Sequence, residues 1–254
     1  MKYVIGNLKM NILTLAERER YLEVFSREIG GKDFAATSII LCPPAIHIEE
    51  FSKKIKAKNV SVGAQNIFWE DRGSFTGEIS SLMVKQFGAE YVIIGHSERR
   101  RYFGETNEMA NAKIKAVFAN NLSAVYCIGE TKEERNRNVT HEVIKKQLLE
   151  GLVGLPVNKL NKIIFAYEPV WAIGSGVVPS GNDIMGIKIL IRKIVGEMFG
   201  VADAEKICVL YGGSVSSKTV LQVCIEPGMD GVLVGKESLI PMELIKIADI
   251  IDKN

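Results

Sequence analysis

Ile163-Ile164-Phe165-Ala166-Tyr167-Glu168-Pro169 places five apolar residues in succession and then, without transition, a carboxylate and a proline. A short apolar run unbroken by polar alternation suits a strand covered on both faces, the condition of a parallel sheet. Seven further runs of this kind stand at residues 3–6, 38–42, 60–64, 91–95, 124–128, 207–211 and 231–234. Between them lie charged segments with helical spacing, at 15–29, 45–57, 109–119, 139–152, 183–199 and 217–223. Strand and helix alternate, so the crossovers are parallel. No Pro/Gly/Ser-rich linker or low-complexity segment divides the chain, which places residues 1–254 in one domain. Eight βα units in one domain of this length predict an α/β fold of the closed (β/α)8 kind, eight parallel strands inside and helices outside. An open doubly wound sheet would normally carry a GxGxxG loop after its first strand. Gly6-Asn7-Leu8-Lys9 is no such loop, and Gly174-Ser175-Gly176 meets Pro179 where a third glycine would stand.

The chain's 254 residues, 47% hydrophobic and 24% charged, are those of an ordinary folded protein. Its 32 basic and 30 acidic residues are mixed along the sequence, without the basic stripe of a nucleic-acid binder. The run Arg99-Arg100-Arg101 is flanked by Glu98 and Glu105 and reads as a salt-bridged helix start. Cys42, Cys127, Cys208 and Cys224 have no paired spacing, which suggests a reducing compartment. The apolar stretch after Met1-Lys2 is too short for a signal peptide, and no run approaches the ~20 apolar residues of a membrane helix. The expected location is the cytoplasm, with neither nucleic acid nor membrane as partner.

In a (β/α)8 barrel, catalytic groups lie at the C-terminal ends of the strands and in the loops that follow. Those positions hold Asn7 and Lys9 after the first run, His96, Ser97 and Glu98 after the fourth, Glu168 after the sixth, Gly212-Gly213-Ser214 after the seventh and Gly235-Lys236 after the eighth. An amide, an ammonium, an imidazole and a carboxylate thus converge, whereas His47 and His141 read as surface residues of outer helices. Glycine turns after the last two strands are where such barrels bind phosphate through backbone N–H groups. The segment Pro169-Val170-Trp171-Ala172-Ile173-Gly174-Ser175-Gly176-Val177-Val178-Pro179 follows Glu168 at once. It is apolar, glycine-tipped and bracketed by prolines, as expected of a closing lid.

Five stretches together, Gly6-Asn7-Leu8-Lys9-Met10-Asn11, residues 94–100 (Ile-Gly-His-Ser-Glu-Arg-Arg), Cys127-Ile128-Gly129-Glu130, residues 166–176 and Tyr211-Gly212-Gly213-Ser214-Val215, resemble the triosephosphate isomerase family in order and spacing. The resemblance spans the chain. It implies a TIM barrel that interconverts dihydroxyacetone phosphate and D-glyceraldehyde 3-phosphate through an enediolate, in glycolysis and gluconeogenesis. It further implies Glu168 as base, His96 as neutral electrophile, Lys9 and Asn7 as oxyanion stabilisers, and Ser97 and Glu98 in support. Gly174, Ser214 and Gly235 would bind the phosphate, with Lys236 beside them, and no cofactor or metal is implied. Phe75 and Thr76 match a loop that docks into a second subunit, implying a homodimer.

The chain departs from the family pattern at three places: Leu8 where tryptophan is usual, Val177 where lysine is frequent, and Lys236 where a second glycine often stands. Leu8's side chain should point away from the site. Two rival readings are an isomerase of a four-carbon ketose phosphate such as erythrulose phosphate, and a non-catalytic barrel paralogue. Intact Lys9, His96 and Glu168 argue against the latter.

Overall fold

The computed structural model describes residues 1–254. Eight strands, β1 (Lys2–Asn7), β2 (Thr37–Cys42), β3 (Val60–Ala64), β4 (Tyr91–Ile94), β5 (Ser123–Ile128), β6 (Ile163–Tyr167), β7 (Cys208–Tyr211) and β8 (Gly231–Val234), form a closed barrel in sequence order. Every pair is parallel, and β8 returns to β1 through Tyr3↔Gly231, Val4↔Val232, Ile5↔Leu233 and Gly6↔Val234. The helices around it are α1 (Leu15–Ile29), α2 (Ile48–Lys54), α3 (Ser81–Gln86), α4 (Ser97–Phe103), α5 (Asn107–Ala119), α6 (Lys132–Asn136), α7 (Thr140–Leu152), α8 (Gly181–Phe199), α9 (Val201–Ala204) and α10 (Pro241–Asp252). None is long and apolar enough to cross a membrane.

Alternation along each strand splits the apolar residues into two cores. Ten buried residues, among them Ile5, Ile40, Ile93, Val125, Ile164, Leu210 and Leu233, fill the barrel interior. A cluster of 57 buried residues, including Val4, Ile39, Val92, Tyr126, Phe165 and Val232, joins the outer strand faces to the helices. Both faces of most strands are thus apolar, which is why the sequence shows runs; β3 is the exception, with Ser61 and Gly63 on its inner face. The same parity positions the site. Ile5, then Asn7, and Ile164, Ala166, then Glu168, continue the inward series beyond the last apolar layer into the barrel mouth. Leu8 takes the opposite parity and is fully buried in the outer core, as expected of it.

Three expectations need correction. Residues 217–223 are not one regular α-helix: Ser216 N donates to Thr219 Oγ1 at 3.0 Å in a turn at the start, and the second half belongs to a π-helix at Leu221–Ile225. The Ser216 and Thr219 hydroxyls bond the backbone at its start, and Pro227, which has no N–H to donate, follows its last turn. Residues 45–57 likewise begin as a 3-10 turn, Ala45–His47, after Pro43-Pro44, and α2 ends at Lys54. His47 in that turn is not a surface residue. It is 4% exposed, and its Nε2 donates to the carbonyl of Ile12 at 3.0 Å. His141 is exposed, as expected.

Candidate active site

One cavity of about 350 Å³ opens at the C-terminal end of the barrel. Asn7, Lys9, His96, Glu168, Gly174, Ser214, Gly235 and Lys236 all line it, with Ser216, Thr219 and Glu237 added. Ser97 and Glu98 stand just behind it and touch the residues that line it.

The carboxylate of Glu168 is 2% exposed and bound at both oxygens. Oε2 accepts the backbone N–H of Ser97 at 3.0 Å, and Oε1 lies 3.1 Å from His96 Nε2. Gly212 makes room for this side chain, since a Cβ there would sit 2.9 Å from Glu168 Cγ. His96 reaches the mouth because Gly95, at φ 73°, turns the chain at the end of β4; a side chain at 95 would be strained and would meet the Cys127 carbonyl at 3.0 Å. His96 caps α4, and its Nδ1 accepts the N–H of Glu98 at 3.2 Å. A ring nitrogen that accepts from N–H carries no proton, so the imidazole is neutral and its proton sits on Nε2, facing Glu168.

Lys9 follows β1 in a left-handed conformation, φ 52°, that costs a non-glycine residue about 1–2 kcal/mol. Three bonds hold it there: its N–H donates to Asn7 Oδ1 at 3.1 Å, its carbonyl accepts Gln65 Nε2 at 2.9 Å, and its ammonium lies 2.5 Å from Glu98 Oε1. Strain held by several partners is a mark of functional positions. Ile12, three residues on, is also left-handed at φ 63°, and the bond from His47 secures it.

Beneath His96 lies a buried ion cluster. Glu105 accepts Gly95 N at 2.7 Å, Arg99 Nε at 2.7 Å and Lys113 Nζ at 2.5 Å, while Lys113 also donates to Asn66 Oδ1 at 2.7 Å. Burial alone would raise the Glu105 carboxyl, but Lys113, Arg99 and the Gly95 N–H together hold it below the ordinary range. Arg100 turns inward as well, donating to the Gly95 carbonyl at 2.7 Å. Of the arginine run, only Arg99 is salt-bridged, to Glu105, while Glu98 pairs with Lys9 instead.

The segment after Glu168 is anchored at its base and free at its tip. Trp171 Nε1 donates to Glu130 at 2.8 Å, the Arg135 guanidinium lies 4.2 Å over the indole, and Ala172 O accepts Ser214 Oγ at 2.6 Å. Burial pushes the Glu130 carboxyl up, despite the bonds from Trp171 and Tyr167. Residues Gly174, Ser175, Gly176 and Val177 are exposed, with Gly174 and Gly176 at φ 66° and 75°.

Ser216 and Thr219 were not legible as cavity residues, and neither was the part of Gln65 in holding Lys9. Gln65 had a signal: Ser61, Gly63 and Gln65 share the inward parity of β3. Thr219 had none, because it sits in the segment read as a helix. No cluster of three His, Cys, Asp or Glu side chains could hold a metal ion.

Comparison with known proteins gives concordant results. The family model described as Triosephosphate isomerase matches residues 2–251. A triosephosphate isomerase of Dictyoglomus thermophilum is 45% identical over 246 residues, covering 97% of this chain and 98% of the relative. That of Dictyoglomus turgidum is 42% identical over 240 residues, with 94% and 95% covered. That of Clostridium perfringens is 39% identical over 246 residues, with 97% and 98% covered.

Proposed function

The chain belongs to the triosephosphate isomerase family, and on that premise we propose how its residues divide the family's chemistry. The reaction interconverts dihydroxyacetone phosphate and D-glyceraldehyde 3-phosphate, a step of glycolysis, by moving a proton between adjacent carbons through an enediolate. The observation that carries the assignment is the contact of Glu168 with a neutral His96 at 3.1 Å on a cavity lined by Lys9. Glu168 is the base. Its carboxylate leaves the Ser97 N–H and His96 for the substrate carbon, takes the proton and returns it to the neighbouring carbon. That departure frees His96 Nε2–H to donate to the substrate oxygens. Lys9 and Asn7 stabilise the oxyanion, and Glu98 orients Lys9.

The phosphate is held by the N–H groups of Gly174, Ser214 and Gly235, with Lys236 adjoining. Because the first of these belongs to the segment Pro169 to Pro179, phosphate binding draws that segment over the site. An enediolate phosphate ester can expel its phosphate by elimination, which consumes no water, and a closed lid holds the phosphate in place and retains the intermediate until it is reprotonated. We read residues 1–254 as one domain, in keeping with the β8–β1 closure. The homodimer and a cytoplasmic location belong to the same reading: Phe75 and Thr76 sit in an exposed loop, and the four cysteines are unpaired.

The test assays purified protein with triose phosphates and tetrulose phosphates side by side. Turnover of trioses in preference to tetruloses supports the reading, and the reverse overturns it. In Glu168→Asp the base retreats by about 1 Å, and the rate should fall on the order of 10²-fold. An unchanged rate removes Glu168 from the mechanism.

A further inference from the structure

The charges that line the cavity are two cations, Lys9 and Lys236, and two carboxylates, Glu168 and Glu237. Their states differ. The Lys9 ammonium is already shared with Glu98 at 2.5 Å, and Glu168 is bound by the Ser97 N–H and by His96. Lys236 and Glu237 form no ion pair, either with each other or with any other residue. Lys236 is therefore the one cavity-lining cation whose charge is not already opposed by a contacting carboxylate. It stands immediately after Gly235, at the start of the short 3-10 turn Lys236–Leu239, and its side chain is exposed. It is not among the four non-glycine residues with positive φ, so the turn accepts a side chain here without left-handed strain. Glu237 is half-buried beside it and faces the same cavity.

Building on the isomerase reading, we propose that the Lys236 side chain is a specificity-determining group. It supplies the free positive charge that captures the substrate's phosphate dianion, and Glu237 opposes it. Backbone N–H groups recognise phosphate by geometry and are little affected by salt. An exposed ammonium acts through space and is screened over about 8–10 Å at ordinary ionic strength. Two consequences follow from that difference. Substrate capture responds to salt, and the adjoining carboxylate limits how tightly a dianion, product included, is held.

The experiment is steady-state kinetics of Lys236→Gln, Glu237→Gln and the control Lys218→Gln, an exposed lysine nearby that does not line the cavity. Each is measured at low salt and at about 0.2 M salt, with inorganic phosphate as competing inhibitor. Lys236→Gln should raise KM for the triose phosphate, and the inhibition constant of phosphate with it, by about fivefold at low salt, with kcat changed less than KM. The gap should close at high salt. Glu237→Gln should lower both constants. If Lys236→Gln keeps the wild-type KM and salt slope, or shifts them no more than Lys218→Gln, the proposal is overturned. Failure of the isomerase reading is distinguishable, since wild-type protein would then turn over no triose phosphate. Calorimetric titration of inorganic phosphate would still report whether Lys236 holds a dianion.

Discussion

Two buried carboxylates near the site titrate in opposite senses. Glu105 is held below the ordinary carboxylate range, so its contribution to stability is present above that range and is lost as pH falls through its folded value. The partner that matters most is Lys113, which is 3% exposed. Removing one member of a buried pair typically costs 3–5 kcal/mol, and Arg99 remains to soften the loss. Lys113→Met should therefore lose about 3 kcal/mol, a fall of about 6–12 °C in Tm for a chain of this size. Thermal unfolding followed by circular dichroism reads it directly. Because Glu105 also accepts the N–H of Gly95, the turn that presents His96 should loosen, and kcat should fall as well.

Glu130 is raised by burial, so its charged form is disfavoured in the folded protein. Its contribution is full below the ordinary carboxylate pKa and is lost as pH rises through the folded value. Glu130→Gln keeps an acceptor for Trp171 and Tyr167 and has no charge to bury. The Tm of that variant minus that of wild type should therefore grow more positive as pH rises from about 4.5 to about 7. A constant difference across that window would show that Glu130 is not a strained charge.

At the scale of elements, the proposed lid has a bonded base and an exposed tip, and Trp171 pins the base. A hydrogen bond to a charged acceptor is worth about 1.5–3 kcal/mol, and Trp171→Phe removes one while keeping a ring for Arg135. The loosened lid should let the enediolate lose phosphate more often. Inorganic phosphate released per isomerisation should rise several-fold, with KM raised and triose turnover still measurable. Release at the wild-type level would mean that Trp171 has no part in shielding.

Strands were legible in this sequence because a barrel buries both faces of most of them, leaving apolar runs that only β3 interrupts with Ser61 and Gly63; all eight lie within one residue of their expected ends. Helix starts were less legible, since apolar spacing finds the packed face and overlooks the cap. Thr106 accepts from Met109 N and Ser180 from Asp183 N, so α5 and α8 begin two residues before their periodicity does. Asn7, Lys9, His96 and Glu168 could be read from strand ends. His47 could not, because its burial depends on the carbonyl of Ile12, a contact between two loops 35 residues apart.

At the scale of the whole molecule, the barrel mouth has two unlike halves. The proposed lid and phosphate turns follow β6, β7 and β8. The loops after β1 to β4 expose the most: Met10 is 87% exposed, Ile46 83%, Leu13 77% and Phe75 44%, with Tyr102 and Phe103 also exposed. The proposed dimer would bury this apolar surface, which is the kind that association covers. Met10 and Leu13 also flank the left-handed residues Lys9 and Ile12, so covering them would stiffen the loop that carries Lys9. The protein should accordingly sediment at about 56 kDa, twice its 28.1 kDa. Phe75→Asp places a charge in the proposed contact and should give a 28.1 kDa species with its fold intact by circular dichroism. Its activity should fall more than about tenfold, because Lys9 loses the support of the covered loop and fixed geometry is worth that much or more. Sedimentation run beside a dilution series of specific activity tests both parts at once. A fully active wild-type monomer would break the link between association and Lys9, whereas a monomeric, weakly active Phe75→Asp would tie the apolar half of the mouth to the chemistry of the other.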